Sequence, residues 1–166
     1  MPIDSDAFKN AMRHYASGVN IVTVRAGEET HGLTASAFIS VSAEPPLIAV
    51  SIGHNGRAFS MFQSSDAVFA VSMLRQTQQE LSDRFAWKDD RFGLGDWTTA
   101  VTGAPVLADG VGWLDCTIYS RMTAGDHTLY IGEVQASEIT MPDAPPLVYW
   151  NRGYQTVADI PVAEAE

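Results

Sequence analysis

The chain has 166 residues and sets 10 Lys or Arg against 20 Asp or Glu, for a formal charge of −10. That balance fits one folded domain over residues 1–166 and argues against a surface that neutralises nucleic acid or anionic lipid. The single cysteine, Cys116, excludes an internal disulfide framework. The N-terminus lacks the basic and apolar parts of a secretory leader and no apolar run approaches a membrane span, so a cytoplasmic setting is the expectation.

In chain order, Phe8, Met12, Tyr15 and Val19 recur at helical spacing, with Asp4 or Ser5 as a start signal and Gly18 as a stop, which predicts a short amphipathic helix. From Val19 the period changes. Val19–Val24, Leu33–Val41 and Leu47–Ile52 read as strands, separated by turns at Gly27-Glu28-Glu29 and Glu44-Pro45-Pro46. A helical turn or two fits Ala58–Ser65, a strand Ala67–Leu74, and a second helix Gln76–Phe85, whose apolar Leu81 and Phe85 lie about one turn apart. Trp87–Gly103 has no clean period and reads as a long loop, of a length that is often functional. Leu114, Cys116 and Ile118 alternate with polar residues, and a hairpin through Ala124-Gly125-Asp126 returns to about Ile139. A last strand, Leu147–Trp150, precedes a turn at Asn151-Arg152-Gly153. Many short strands with few helices point to a closed or partly closed antiparallel barrel, because closure removes exposed sheet edges.

Motif searches narrow the chemistry. Gly93-Leu94-Gly95-Asp96-Trp97-Thr98 lacks the last glycine of a dinucleotide fingerprint and follows no strand, and no phosphate-binding loop ends in Gly-Lys-Ser/Thr. His14, His31, His54 and His127 are scattered without short metal-ligand spacings, so no metal is expected. The richest stretch is Gly32-Leu33-Thr34-Ala35-Ser36-Ala37-Phe38, in which Gly32 admits close approach of another backbone or a planar ligand and Thr34 and Ser36 offer hydroxyls at period 2.

That stretch, with Gly125-Asp126-His127, Pro146-Leu147-Val148-Tyr149 and Tyr154 following in order, resembles the short-chain flavin reductases, and the resemblance runs from about Phe8 to Val157. It implies a mainly β fold, an antiparallel Greek-key split β-barrel with a few short flanking helices, usually a homodimer. It also implies hydride transfer from C4 of NADH or NADPH to N5 of FMN or FAD, with reduced flavin passed to a partner monooxygenase. FMN is favoured over FAD because the sequence displays no adenine site. The non-catalytic alternatives are a flavin- or haem-binding carrier or sensor barrel and an acidic interaction domain without a ligand.

By position, the resemblance makes Thr34, Ala35 and Ser36 contacts of the flavin ring and ribityl chain, with ordinary strand hydroxyls as the competing account. Ser51, Ile52, His54, Asn55 and Arg57 belong to the next implied contact segment, Ser51 to Arg57. Backbone N–H groups at the start of the following helix and the Arg57 guanidinium suit a phosphate there, although Gly56 stands where many relatives place a serine nearby. A solvated surface cation explains Arg57 equally well. Arg84 and Phe85 are a second implied contact, against a helix-end Arg and a core Phe. His127 is implied beside the flavin and nicotinamide as the catalytic imidazole, against a plain hairpin-turn residue. Tyr154 and Arg152 resemble a C-terminal segment that approaches the site, while aromatic packing at a barrel end also accounts for Tyr154.

Overall fold

A computed structural model describes residues 2–160. Helix α1 (Ser5–Met12) is followed by β1 (Ser17–Gly18), β2 (Asn20–Ala26), β3 (Glu29–Ala35), β4 (Phe38–Ala43), β5 (Pro46–Gly53), α2 (Arg57–Phe62), β6 (Val68–Met73), α3 (Gln79–Trp87), β7 (Trp97–Thr99), β8 (Pro105–Leu107), β9 (Gly112–Ala124), β10 (His127–Ile139), β11 (Val148–Trp150) and β12 (Gly153–Gln155). Seven strands form one antiparallel sheet in the order β3-β2-β6-β9-β10-β5-β4. Its two edges, β3 and β4, are consecutive in the chain and joined through Ser36 and Ala37. The sheet therefore curls into a barrel that is split at this junction, as the mainly β antiparallel expectation required.

The sheet encloses Val22, Val24, Val50, Phe62, Phe69 and Tyr130, with α2 supplying Met61 and Phe62 as a plug. Gly132 of β10 exists to admit the Phe69 ring, since a Cβ there would collide with Phe69 Cζ. Cys116 is fully buried in this core. Burial and the neighbouring Asp115 push its thiol up to about 12, so it is an inert structural sulfur.

Three sequence expectations change. The N-terminal helix stops at Met12, not near Gly18: Asp4 caps it, its side chain accepting from the Ala7 N–H at 2.7 Å, and Gly18 lies in β1, paired with Val148. The segment Leu33–Val41 is two strands, because the backbone turns at Ser36-Ala37 to pass from one sheet edge to the other. The loop Trp87–Gly103 contains β7, which pairs with β8, and its Trp97 and Phe92 pack on Phe85 with ring centroids 5.1 and 5.2 Å away. The absence of a period there reflects a segment folded around aromatic contacts. Its glycines serve packing: Gly95 has φ +93°, and a Cβ on it would meet Leu107 and Trp97.

Candidate functional site

A cleft of about 1260 Å³ opens between the end of β3, the start of α2, helix α3 with the loop behind it, and the β11–β12 hairpin. That volume exceeds the roughly 300–1,000 Å³ of ordinary small-molecule sites. Gly32 fixes one wall. A Cβ on Gly32 would lie 2.6 Å from Phe85 Cε1, so the room beside this glycine is taken by the Phe85 ring and not, as expected from the sequence, by another backbone or a planar ligand, and α3 seats on β3 through that contact. Two polar links complete the seat. The Thr34 hydroxyl donates to the Ser82 carbonyl at 2.5 Å, and the Tyr154 hydroxyl lies 2.8 Å from Ser82 Oγ and donates to Asp83 Oδ1 at 2.7 Å. Burial and the Asp83 carboxylate push the Tyr154 phenol up and keep it protonated as a donor, with Ser82 opposing.

Of the residues marked out in the sequence, Thr34, Ala35, Ser36, Ile52, Asn55, Arg57, Phe85 and Tyr154 line this one cleft, as does Arg152. They come from four separate stretches of chain. Four others stand apart from its walls. Ser51 lies within β5 opposite Leu129 of β10. His54 stacks on Phe59 with centroids 4.5 Å apart, and its Nε2 is 3.0 Å from Thr128 Oγ1. Arg84 donates to the Asp90 carbonyl at 2.9 Å and pairs with the Asp90 carboxylate at 3.2 Å, tying the end of α3 to the next loop. His127 opens β10 directly opposite Gly53, which does line the cleft, and its Nε2 would be 3.3 Å from a Cβ placed on Gly53. The imidazole thus stands at the cleft edge, with Nδ1 2.7 Å from Asp126 Oδ1. With Nδ1 engaged by Asp126, Nε2 is the ring nitrogen on the Gly53 side. The same contact holds the Asp126 carboxyl below its usual range.

The cleft is less acidic than the chain as a whole, with Arg57, Arg91 and Arg152 set against Asp83 and Asp89 among its lining residues. Three of the 10 basic residues, Arg57, Arg91 and Arg152, line it together with His31. His31 is held below the usual histidine range by burial first, then by Arg91 and Arg57. Arg57 pairs with Glu29 at 2.9 Å, both side chains being exposed. Such a pair is worth only about 0–1 kcal/mol, so an anion can exchange for Glu29 at little cost. Arg152 reaches the cleft from a two-residue turn in which Asn151 (φ 49°) and Arg152 (φ 64°) are both left-handed. Sequence reasoning passed over His31 and Arg91. Their signals were slight: His31 sits one residue before Gly32, and Arg91 falls in the segment whose length alone suggested function. Among the described residues no group of three or more His, Cys, Asp or Glu is placed to hold a metal ion, and no helix is long and apolar enough to cross a membrane.

The family model for the flavin reductase like domain matches residues 12–158. The chain is 37% identical over 150 residues to the reductase component of 4-hydroxyphenylacetate 3-monooxygenase from Thermus thermophilus, covering 90% of this chain and 95% of that one. It is 38% identical over 156 residues to the actinorhodin polyketide dimerase of Streptomyces coelicolor, covering 93% and 87%. Among solved structures, the NADH:FAD oxidoreductase of Streptomyces globisporus superposes with a TM-score of 0.87 at 30% identity, covering 96% of each chain.

Proposed function

Because this chain belongs to the flavin reductase like family, we propose that it reduces FMN or FAD with a reduced nicotinamide and supplies the reduced flavin to a partner monooxygenase. The observation that carries the reading is the convergence of Thr34, Ala35, Ser36, Asn55, Arg57 and Tyr154 on one cleft that also brings Arg91 and Arg152 to its lining in a strongly acidic protein. A planar ring joined to a phosphate fits that combination. When bound, flavin supplies the ring that accepts hydride.

The chain's own part is to bind and to orient. The end of β3 offers a narrow wall of small residues to a flat ring, and α3 holds that wall in place through the Phe85 ring and the Thr34–Ser82 hydrogen bond. Arg57, with Gly56 and Ala58 of the first turn of α2, draws the phosphate. Asp126 holds the His127 ring through Nδ1, and the free Nε2 on the Gly53 side would be the atom that orients the nicotinamide carboxamide at the cleft edge. NADH as the donor is supported by the likeness to the Streptomyces globisporus NADH:FAD oxidoreductase, and a monooxygenase partner by the likeness to the Thermus thermophilus reductase component. A homodimer is part of the same reading. It is supported by Phe8, Met12 and Tyr15, which α1 and the residues after it leave exposed.

Anaerobic mixing of the protein with flavin and each nicotinamide tests the activity: catalysed bleaching is expected, and flavin binding without bleaching favours the carrier alternative. In single-turnover reduction with nicotinamide saturating, His127→Gln is expected to slow the step by roughly ten- to a hundredfold while flavin affinity changes little. An unchanged rate makes His127 a turn residue. Arg57→Ala is expected to weaken FMN about tenfold and riboflavin hardly at all. Equal losses remove Arg57 from the phosphate site.

A further inference from the structure

Trp87 is the last residue of α3, lines the cleft and is 84% exposed. The other three tryptophans are not placed this way: Trp97 packs against Phe85 and Phe92, Trp113 is buried, and Trp150 donates its indole N–H to the His14 carbonyl. Helix geometry explains the exposure. Leu81 and Phe85, four apart, carry the buried stripe, and Trp87 lies two residues beyond Phe85, about 200° around the helix. An indole presents 150–250 Å² of mostly apolar surface, so leaving it open at the mouth of a ligand-sized cleft withholds burial that a flat partner can supply.

A second observation concerns charge. Arg91, four residues on, also lines the cleft, has no carboxylate partner at salt-bridge distance among the described residues, and is anchored by its Nε to the Phe85 carbonyl at 3.3 Å. Its field reaches His31, which stands with Arg57 on the β3 side. Asp89, between Trp87 and Arg91 in sequence, adds a carboxylate acceptor at the same mouth. A flat ring surface, a sugar-sized acceptor and an unpaired guanidinium are the complement of a purine, a ribose and a diphosphate. The volume agrees, since about 1260 Å³ is more than one mononucleotide needs.

We propose that Trp87 is the stacking platform for the purine of an adenosine diphosphate group at the cleft mouth, with Arg91 drawing its diphosphate. The inference rests on the flavin reductase reading, in which both FAD and the reduced nicotinamide dinucleotide carry that group, and it supplies the adenine site that the sequence did not display. FMN lacks the purine, so a purine brought by the flavin makes FAD the better ligand.

The probe is ADP alone, titrated by calorimetry into the full chain and into Trp87→Ala and Trp87→Phe. Loss of base stacking is expected to weaken ADP by roughly five- to a hundredfold in Trp87→Ala, with most of the affinity kept in Trp87→Phe. The indole emission lost on Trp87→Phe is expected to be the part that ADP quenches. The source of the purine follows from two ratios measured in Trp87→Ala. A fall in the FAD-to-FMN affinity ratio assigns the site to flavin, and a rise in KM for the dinucleotide but not for reduced nicotinamide mononucleotide assigns it to the hydride donor. Equal ADP affinity in all three proteins, or Trp87 emission that responds to protein dilution and not to ADP, overturns the proposal. Because ADP binding is read without turnover, that failure is separate from a failure of the unmodified protein to bleach flavin.

Discussion

Helices α1 and α3 carry comparable apolar stripes and meet opposite fates. In α3, Leu81 and Phe85 are 2% and 1% exposed, because Gly32 clears a seat for the Phe85 ring and Phe92 and Trp97 close over it. In α1 no residue is buried, and Phe8 and Met12 remain 55% and 47% exposed. The stripe on α3 is satisfied within the chain and holds the cleft wall. Among the described residues no partner buries the stripe on α1, and this end of the chain is fastened instead by polar links from Asn151 N–H to the Arg13 carbonyl and from Trp150 to the His14 carbonyl. An amphipathic pattern therefore says that a face will be covered, and only tertiary structure says whether the cover comes from the same chain.

The largest expected effect comes from breaking the α3 side. Phe85→Ala should cost about 3–5 kcal/mol in chemical denaturation and weaken flavin binding with it, because the cavity loosens the wall that carries Ser82 and Asp83. A loss below about 1 kcal/mol would show that α3 is not seated by this ring. Next, Tyr154→Phe removes the hydroxyl links to Ser82 and Asp83 and should cost about 1–2 kcal/mol, with a smaller effect on flavin affinity. On the α1 side, Phe8→Asp should change subunit unfolding by no more than about 0.5 kcal/mol while shifting the protein toward monomer in light scattering. A large loss of stability without a change of mass would mean that α1 is covered from within.

The smallest expected effect is on pH dependence. His31 is half-buried, close to Arg91 and Arg57, and so prefers its neutral form in the folded state. Its contribution is present above pH 6.5, its unfolded value, and is lost as the pH falls through the lower folded value. His31→Gln should flatten the acid limb of stability slightly below pH 6.5, an effect kept small by partial exposure to solvent. An added phosphate should lessen it further in the unmodified protein by offsetting the two arginines, as acid titrations with and without FMN would show.

Burial in β2, β5 and β9 does not alternate: β2 is buried continuously from Asn20 to Val24, and Asp115 of β9 is buried beside Cys116. These strands and the hairpin at Gly125-Asp126 were nonetheless legible because each carries a local signal, a run of β-branched and apolar residues between turn residues or a turn glycine at φ +63°. The break at Ser36-Ala37 was not, since its cause is the meeting of two sheet edges, and neither residue breaks a strand by itself. The same holds in the cleft. Thr34, Arg57 and Tyr154 could be marked because their segments resemble a family pattern, whereas His31, Trp87 and Arg91 acquire meaning only from what faces them.

Composition and pattern by themselves determined an acidic, single-cysteine, mostly antiparallel β domain with few helices, because charge sums and apolar patterning are properties of the chain read in order. Tertiary structure decided that Gly32 serves Phe85, that the unpatterned loop builds a wall, and that Arg57, Arg91, Arg152 and His31 meet on one cleft. Those are contacts between residues tens of positions apart, and their energies depend on distance in space, which no spacing along the sequence records.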